Sequence, residues 1–110
     1  MKVGIIRCMQ TEDYCPGTAD FRALREKTGA FAGLDGDLEL VGFTSCGGCP
    51  GKKAALRARE LAKRGAQVIA LASCIQKGTP IGYPCPFAQN MKELVAAQLG
   101  SDIQLLDHTH

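Results

Sequence analysis

The sequence predicts an α/β fold, a three-layer α/β/α sandwich around a four-stranded parallel sheet. Three observations predict it. Short apolar runs recur at residues 2–7, 38–43, 67–72 and 103–106. Helix-like segments separate successive runs, which is the alternation of a parallel sheet. Gly, Pro and Asp punctuate the boundaries, with no repeat, low-complexity stretch or linker between them. Residues 1–110 therefore read as a single domain of ordinary size. Right-handed crossovers and a flavodoxin-like strand order 2-1-3-4 are the expected topology.

Each element has a local reason. The first strand covers residues 3–7, and a loop with Cys15-Pro16-Gly17 follows it. Thr18 or Asp20 can cap a helix over residues 21–31, with Leu24 on its apolar side. Gly33-Leu34-Asp35-Gly36-Asp37 turns the chain into the second strand. Cys46-Gly47-Gly48-Cys49-Pro50-Gly51 is a tight connection, and Pro50 suits the first turn of the next helix, where an N–H would lack a partner. That helix is expected over 52–63, with Ala55, Leu56, Arg59 and Leu61 mixing apolar and charged character, and Arg64-Gly65 stops it. The third strand follows at 68–72. A Gly/Pro-rich loop at 77–86 then leads through Pro86 into a helix over 87–99, which Gly100 ends. Ser101-Asp102 turns into the last strand.

Composition narrows the function classes. The chain is 45% apolar and 22% charged, an ordinary globular balance. A net charge of +2, dispersed basic residues and few aromatics give no nucleic-acid footprint. No apolar run approaches the roughly 20 residues of a membrane span. The opening Met1-Lys2-Val3-Gly4-Ile5-Ile6 enters a strand and is too short for a secretion signal, so a cytoplasmic location is expected. In a reducing compartment, clustered cysteines point to metal binding or catalysis rather than structural disulfides.

The six cysteines carry the functional signal. Cys8, the pair Cys46 and Cys49, and Cys74 each fall just beyond an apolar run, and the last run leads to His108 and His110. Strands of a parallel sheet end along one edge, where α/β folds bind ligands, so these side chains are expected to gather there. Cys46-Gly47-Gly48-Cys49 is the sharpest feature. Two thiols separated by two residues can chelate a metal or form a disulfide. The two glycines allow positive φ and a close backbone approach, and the following helix N-terminus favours an anion. Cys15 and Cys85 lie beside prolines, which limit backbone freedom and remove an N–H. They read as ligands, resolving thiols or plain loop residues. His108 and His110 alternate along an extended segment and can face one site, with Asp107 as a supporting group. His108, nearer the strand, is the stronger candidate.

Spacing excludes several enzymes. A small-phosphatase loop needs Cys, five residues, then Arg, but Tyr14 follows Cys8 and Lys52 follows Cys46 at that distance. Gly47 to Gly51-Lys52-Lys53 is one residue short of a P-loop and lacks the hydroxyl. Cys8-Met9-Gln10-Thr11 stands where a dinucleotide fingerprint would place glycines.

Taken together, Cys8, Cys15-Pro16-Gly17, Ser45-Cys46-Gly47-Gly48-Cys49-Pro50, Ser73-Cys74, Cys85-Pro86 and Thr109-His110 resemble the CGGC-domain family over nearly the whole chain. The resemblance implies a metal-binding domain, usually associated with zinc, and no settled reaction. Histidines are sparse, so a thiolate-rich zinc site and an iron–sulfur cluster both remain open. Zinc would most simply take Cys46, Cys49, Cys74 and either Cys8 or His108. The alternative is a thiol–disulfide redox enzyme using Cys46 and Cys49 together with a redox partner protein.

Overall fold

The computed structural model describes residues 1–110. Four strands form an all-parallel sheet in the order β2-β1-β3-β4: β1 is Lys2–Arg7, β2 Glu39–Ser45, β3 Val68–Leu71 and β4 Gln104–Leu106. The expected order 2-1-3-4 is the one observed. β1 and β3 are central, and Val3, Ile5, Ile6 and Val68 through Ala72 are buried. Burial on both faces explains why these two strands read as nearly unbroken apolar runs. A bulge at Val41 shifts the β1–β2 register between Val3 and Gly4.

The helices are α1 (Thr18–Glu26), α2 (Lys53–Lys63), the short α3 (Ser73–Gln76) and α4 (Ala88–Leu99). Strand order and right-handed crossovers put α2 and α4 on one face of the sheet and α1 on the other. α2 and α4 accordingly pack against each other. On α2 the buried stripe is Ala54, Ala58 and Leu61, spaced i, i+4, i+7. Leu56, expected in an apolar stripe, is exposed. Leu61 seats against the sheet because Gly4 and Gly42 offer no Cβ there; a methyl on Gly42 would collide with Leu61 Cδ2.

Three local expectations are corrected. The first helix starts earlier and ends at Glu26 rather than residue 31. Lys27 adopts φ 54° and its N–H closes onto the carbonyls of Ala23 and Leu24, after which a separate 3-10 turn forms at Gly29–Phe31. Neither Thr18 nor Asp20 caps it; Gly17 occupies that place. Pro50 precedes α2 rather than opening it, because Gly51 at φ 87° breaks the helical path and the helix begins at Lys53. β3 also runs directly into α3, so Cys74 lies in a helical turn just beyond the strand.

Candidate functional site

The site is the carboxyl edge of the sheet. There Cys46 N donates to Arg7 O at 2.7 Å, and Ala72 N donates to Ile6 O at 2.8 Å, carrying the strand ladders one step further. The chain then enters the turn of residues 45–51. Gly47 and Gly48 adopt φ 83° and 102°, a region that L side chains rarely occupy. A Cβ on Gly47 would also meet Lys53 Cβ at 2.6 Å. The Arg57 guanidinium, from α2, donates to Ser45 Oγ at 2.8 Å and to Ser45 O at 3.1 Å, and Gly47 N donates to Ser45 Oγ at 3.2 Å. The double glycine is therefore a structural demand of the turn that presents the two thiols.

All six cysteines are free thiols. Cys46 is buried and Cys49 exposed, so the two sulfurs of the central pair differ in access to solvent. Cys8, half-buried, follows β1. Cys85, also half-buried, precedes α4; its N–H donates to Ile75 O at 2.8 Å, and its sulfur accepts from Phe87 N at 3.4 Å. Burial pushes the Cys8 and Cys85 thiols above the usual range, and negative charge at Cys46 and Cys49 pushes them further. Cys85 also senses Cys8. Cys8 and Cys85, from remote parts of the sequence, thus both feel the charge of the central pair.

Cys74 is buried, and it touches Cys8 as well as the α1 side of the edge. Its sulfur accepts from Cys8 N at 3.2 Å. Burial raises its thiol most, the Cys8 amide and the Thr11 hydroxyl oppose that rise, and the charges of Cys8 and Asp20 add to it. With Cys15, Asp20 and His110 it lines a cleft of about 220 Å³ on the α1 side.

The imidazoles part company. His108 Nδ1 pairs with Asp107 Oδ1 at 2.8 Å; this contact first, and Lys92 after it, hold the Asp107 carboxyl below the usual carboxylate range. His110 Nε2 instead stands 3.6 Å from Asp20 Oδ1, in the cleft. Between them Thr109 is fully buried. Its hydroxyl donates to Asp20 Oδ1, its N–H donates to Ser73 Oγ at 3.1 Å, and Ser73 N donates to Thr109 Oγ1 at 3.2 Å. Sequence reasoning missed this Asp20–Thr109–Ser73 network. The available signal was a single small polar residue beside each candidate ligand, Ser73 before Cys74 and Thr109 before His110, which looks the same as a surface loop.

No three Cys, His, Asp or Glu side chains stand together in ion-holding geometry. The donor chemistry still suits a soft cation, since thiolates are the preferred ligands of zinc and iron–sulfur clusters.

Fold and edge together define a parallel α/β domain with a cysteine-rich carboxyl edge. The chain belongs to the CGGC-domain family, whose model matches residues 2–110. Membership is consistent with a metal-binding role. The chain is also similar to Uncharacterized protein MJ0582 of Methanocaldococcus jannaschii, 42% identical over 93 residues that cover 79% of this chain and 69% of that protein. No solved structure matches. No helix is long and apolar enough to cross a membrane.

Proposed function

We propose that the protein binds a thiolate-ligated metal, zinc or an iron–sulfur cluster, through Cys8, Cys46, Cys49 and Cys85. The observation that carries this reading is topological: β1 and β2 are adjacent parallel strands and α2 packs against α4, so the end of β1, the turn after β2 and the loop before α4, which bear these thiols, lie along one edge. Like charges crowded at one edge are unfavourable as free thiolates and become favourable when a cation neutralises them. Zinc would lock the segments together, whereas a cluster would add electron transfer. Arg57 and the two glycines hold the turn in shape, and the Phe87 amide supports the Cys85 sulfur.

The test is elemental analysis of protein purified without air. Stoichiometric zinc in colourless protein supports the zinc form, and iron with sulfide in brown protein supports the cluster. Cys46→Ser, Cys49→Ser and Cys85→Ser should each lose most of the metal, while Cys15→Ser keeps it. Equal retention in all four folded variants would remove the quartet.

A second reading has one observation in its favour. Cys49 is exposed and Cys46 buried, the asymmetry of an attacking thiol and its partner in a dithiol redox enzyme. Metal-free protein whose central pair cycles between dithiol and disulfide would support it.

A further inference from the structure

One hydrogen bond joins two cysteines in this chain: Cys8 N donates to Cys74 Sγ at 3.2 Å. The meeting follows from topology. β1 and β3 are neighbours, and Ala72 N, donating to Ile6 O at 2.8 Å, continues their ladder past the last strand pair. Cys8 and Cys74 each lie two residues beyond that bond. Neighbouring strands run about 4.8 Å apart, inside the roughly 4.4–6.8 Å that separates the Cα atoms of a disulfide. The contact sets a closer limit. An amide nitrogen is about 1.46 Å from its own Cα, so the Cys74 sulfur lies within about 5 Å of the Cys8 Cα. From there, rotation about the Cys8 Cα–Cβ bond can carry one sulfur to the other. Both backbones are fixed. The hydroxyl of the fully buried Thr11 donates to Cys8 O at 3.0 Å, and Cys74 stands in α3 between the buried Ser73 and Ile75. Access is unequal: Cys8 is half-buried, whereas Cys74 is only 5% exposed.

We propose that Cys8 and Cys74 are an oxidative modification site, at which hydrogen peroxide oxidises Cys8 and Cys74 closes a disulfide onto it. The more accessible Cys8 sulfur attacks one peroxide oxygen. The O–O bond breaks, an S–O bond forms, and the other oxygen leaves as water carrying the Cys8 proton. Cys8 is then a sulfenic acid, which a neighbouring thiol converts to a disulfide. The Cys74 sulfur attacks the Cys8 sulfur, the S–O bond breaks, and the hydroxyl leaves as a second water with the Cys74 proton. Two thiols are oxidised to one disulfide and one peroxide is reduced to two waters, so atoms and electrons balance. Closure withdraws Cys8 from the metal ligands proposed above and so releases the metal when oxidant is present. That consequence rests on the metal reading; the disulfide itself rests on the Cys8–Cys74 contact alone.

The experiment exposes the reduced, metal-stripped whole chain to hydrogen peroxide, removes the excess with catalase, alkylates the remaining thiols in denaturant and maps the peptides. Free Cys8 and free Cys74 should be lost in equal amount as a Cys8–Cys74 linked peptide appears. The central pair can close as well, so a double variant with Cys46→Ser and Cys49→Ser should still yield the linked peptide. In Cys74→Ala the sulfenic acid on Cys8 should persist, and dimedone should capture it there and not in the unaltered chain. The proposal is overturned if Cys74 stays alkylatable while Cys8 is consumed, if Cys8 links to a different cysteine, or if both thiols survive a dose that oxidises Cys49. Failure in metal-stripped protein leaves the metal reading untouched. In metal-loaded protein, release of the metal should accompany the linked peptide. A linked peptide that forms without loss of metal would support the disulfide and remove Cys8 from the metal site.

Discussion

Thr109 illustrates how much one residue organises at this edge. Its hydroxyl joins Asp20 to Ser73, and its carbonyl accepts from Ala30 N at 3.1 Å. Gly29, at φ 57°, leaves room for it, because a Cβ there would run into the Thr109 carbonyl. Thr109→Val keeps the shape and removes the hydroxyl. Asp20 would then lose its buried donor and Ser73 N its acceptor, a loss of about 1–3 kcal/mol that urea unfolding would measure. An unchanged midpoint would mean that water replaces the hydroxyl without cost. The sequence favours His108 for its nearness to a strand, while the structure fastens the neighbouring His110 through Ser73 and Lys77. That difference rests on a cradle at Gly29 far away in the chain, which local pattern does not reveal. The buried thiols give a second prediction at this scale. Cys8, Cys74 and Cys85 are all pushed up by burial, so the folded state keeps protons that the unfolded chain releases above about pH 8.5. For metal-stripped, reduced protein the stability should therefore hold near neutrality and fall as pH rises through the alkaline thiol range. Urea midpoints that stay level up to about pH 9.5 would contradict it, and Cys74→Ala should flatten the decline.

At the scale of elements, the fit of α2 on the sheet depends on what β1 and β2 lack. Leu61 occupies the space above Gly4 and Gly42. Gly42→Ala should cost about 1–3 kcal/mol through overpacking. In Leu61→Ala the same glycine change should cost less, since the colliding methyl group is gone, and a double-mutant cycle reads that coupling directly. Additive effects would show that the sheet relaxes instead. The strands and the two longest helices were legible because each carries enough apolar periodicity to declare its type. Ser73-Cys74-Ile75-Gln76 is too short for any period to appear, so α3 was not anticipated. The early end of α1 rests on the left-handed conformation of Lys27, a residue with no such preference in sequence. The direction of the site was legible, since parallel strands share one carboxyl edge. The places of the individual thiols along that edge were not, because Cys8, Cys15, Cys49 and Cys85 lie outside the regular elements and their positions are set by loop geometry.

At the scale of the whole molecule, the topology sends chain segments distant in sequence to neighbouring positions. Cys8 leaves a central strand, Cys46 and Cys49 precede α2, and Cys85 precedes α4; α2 and α4 are packed side by side. A metal held by all four would tie strand ends to the starts of both helices, and any unfolding that separates those helices would have to break it. Binding confined to the folded state contributes RT ln(1 + [L]/Kd), about 2.7 kcal/mol at a hundredfold excess over Kd. For a domain of this size that corresponds to a rise of roughly 10–20 °C in Tm. Zinc added to metal-stripped, reduced protein should produce a shift of that order in calorimetry, and chelation should reverse it. Cys46→Ser and Cys85→Ser should each abolish most of the shift, although they lie in different layers of the chain's path, whereas Cys15→Ser should retain it. If Cys46→Ser loses the shift while Cys85→Ser keeps it, the metal is held at the central turn alone and does not couple the two helices.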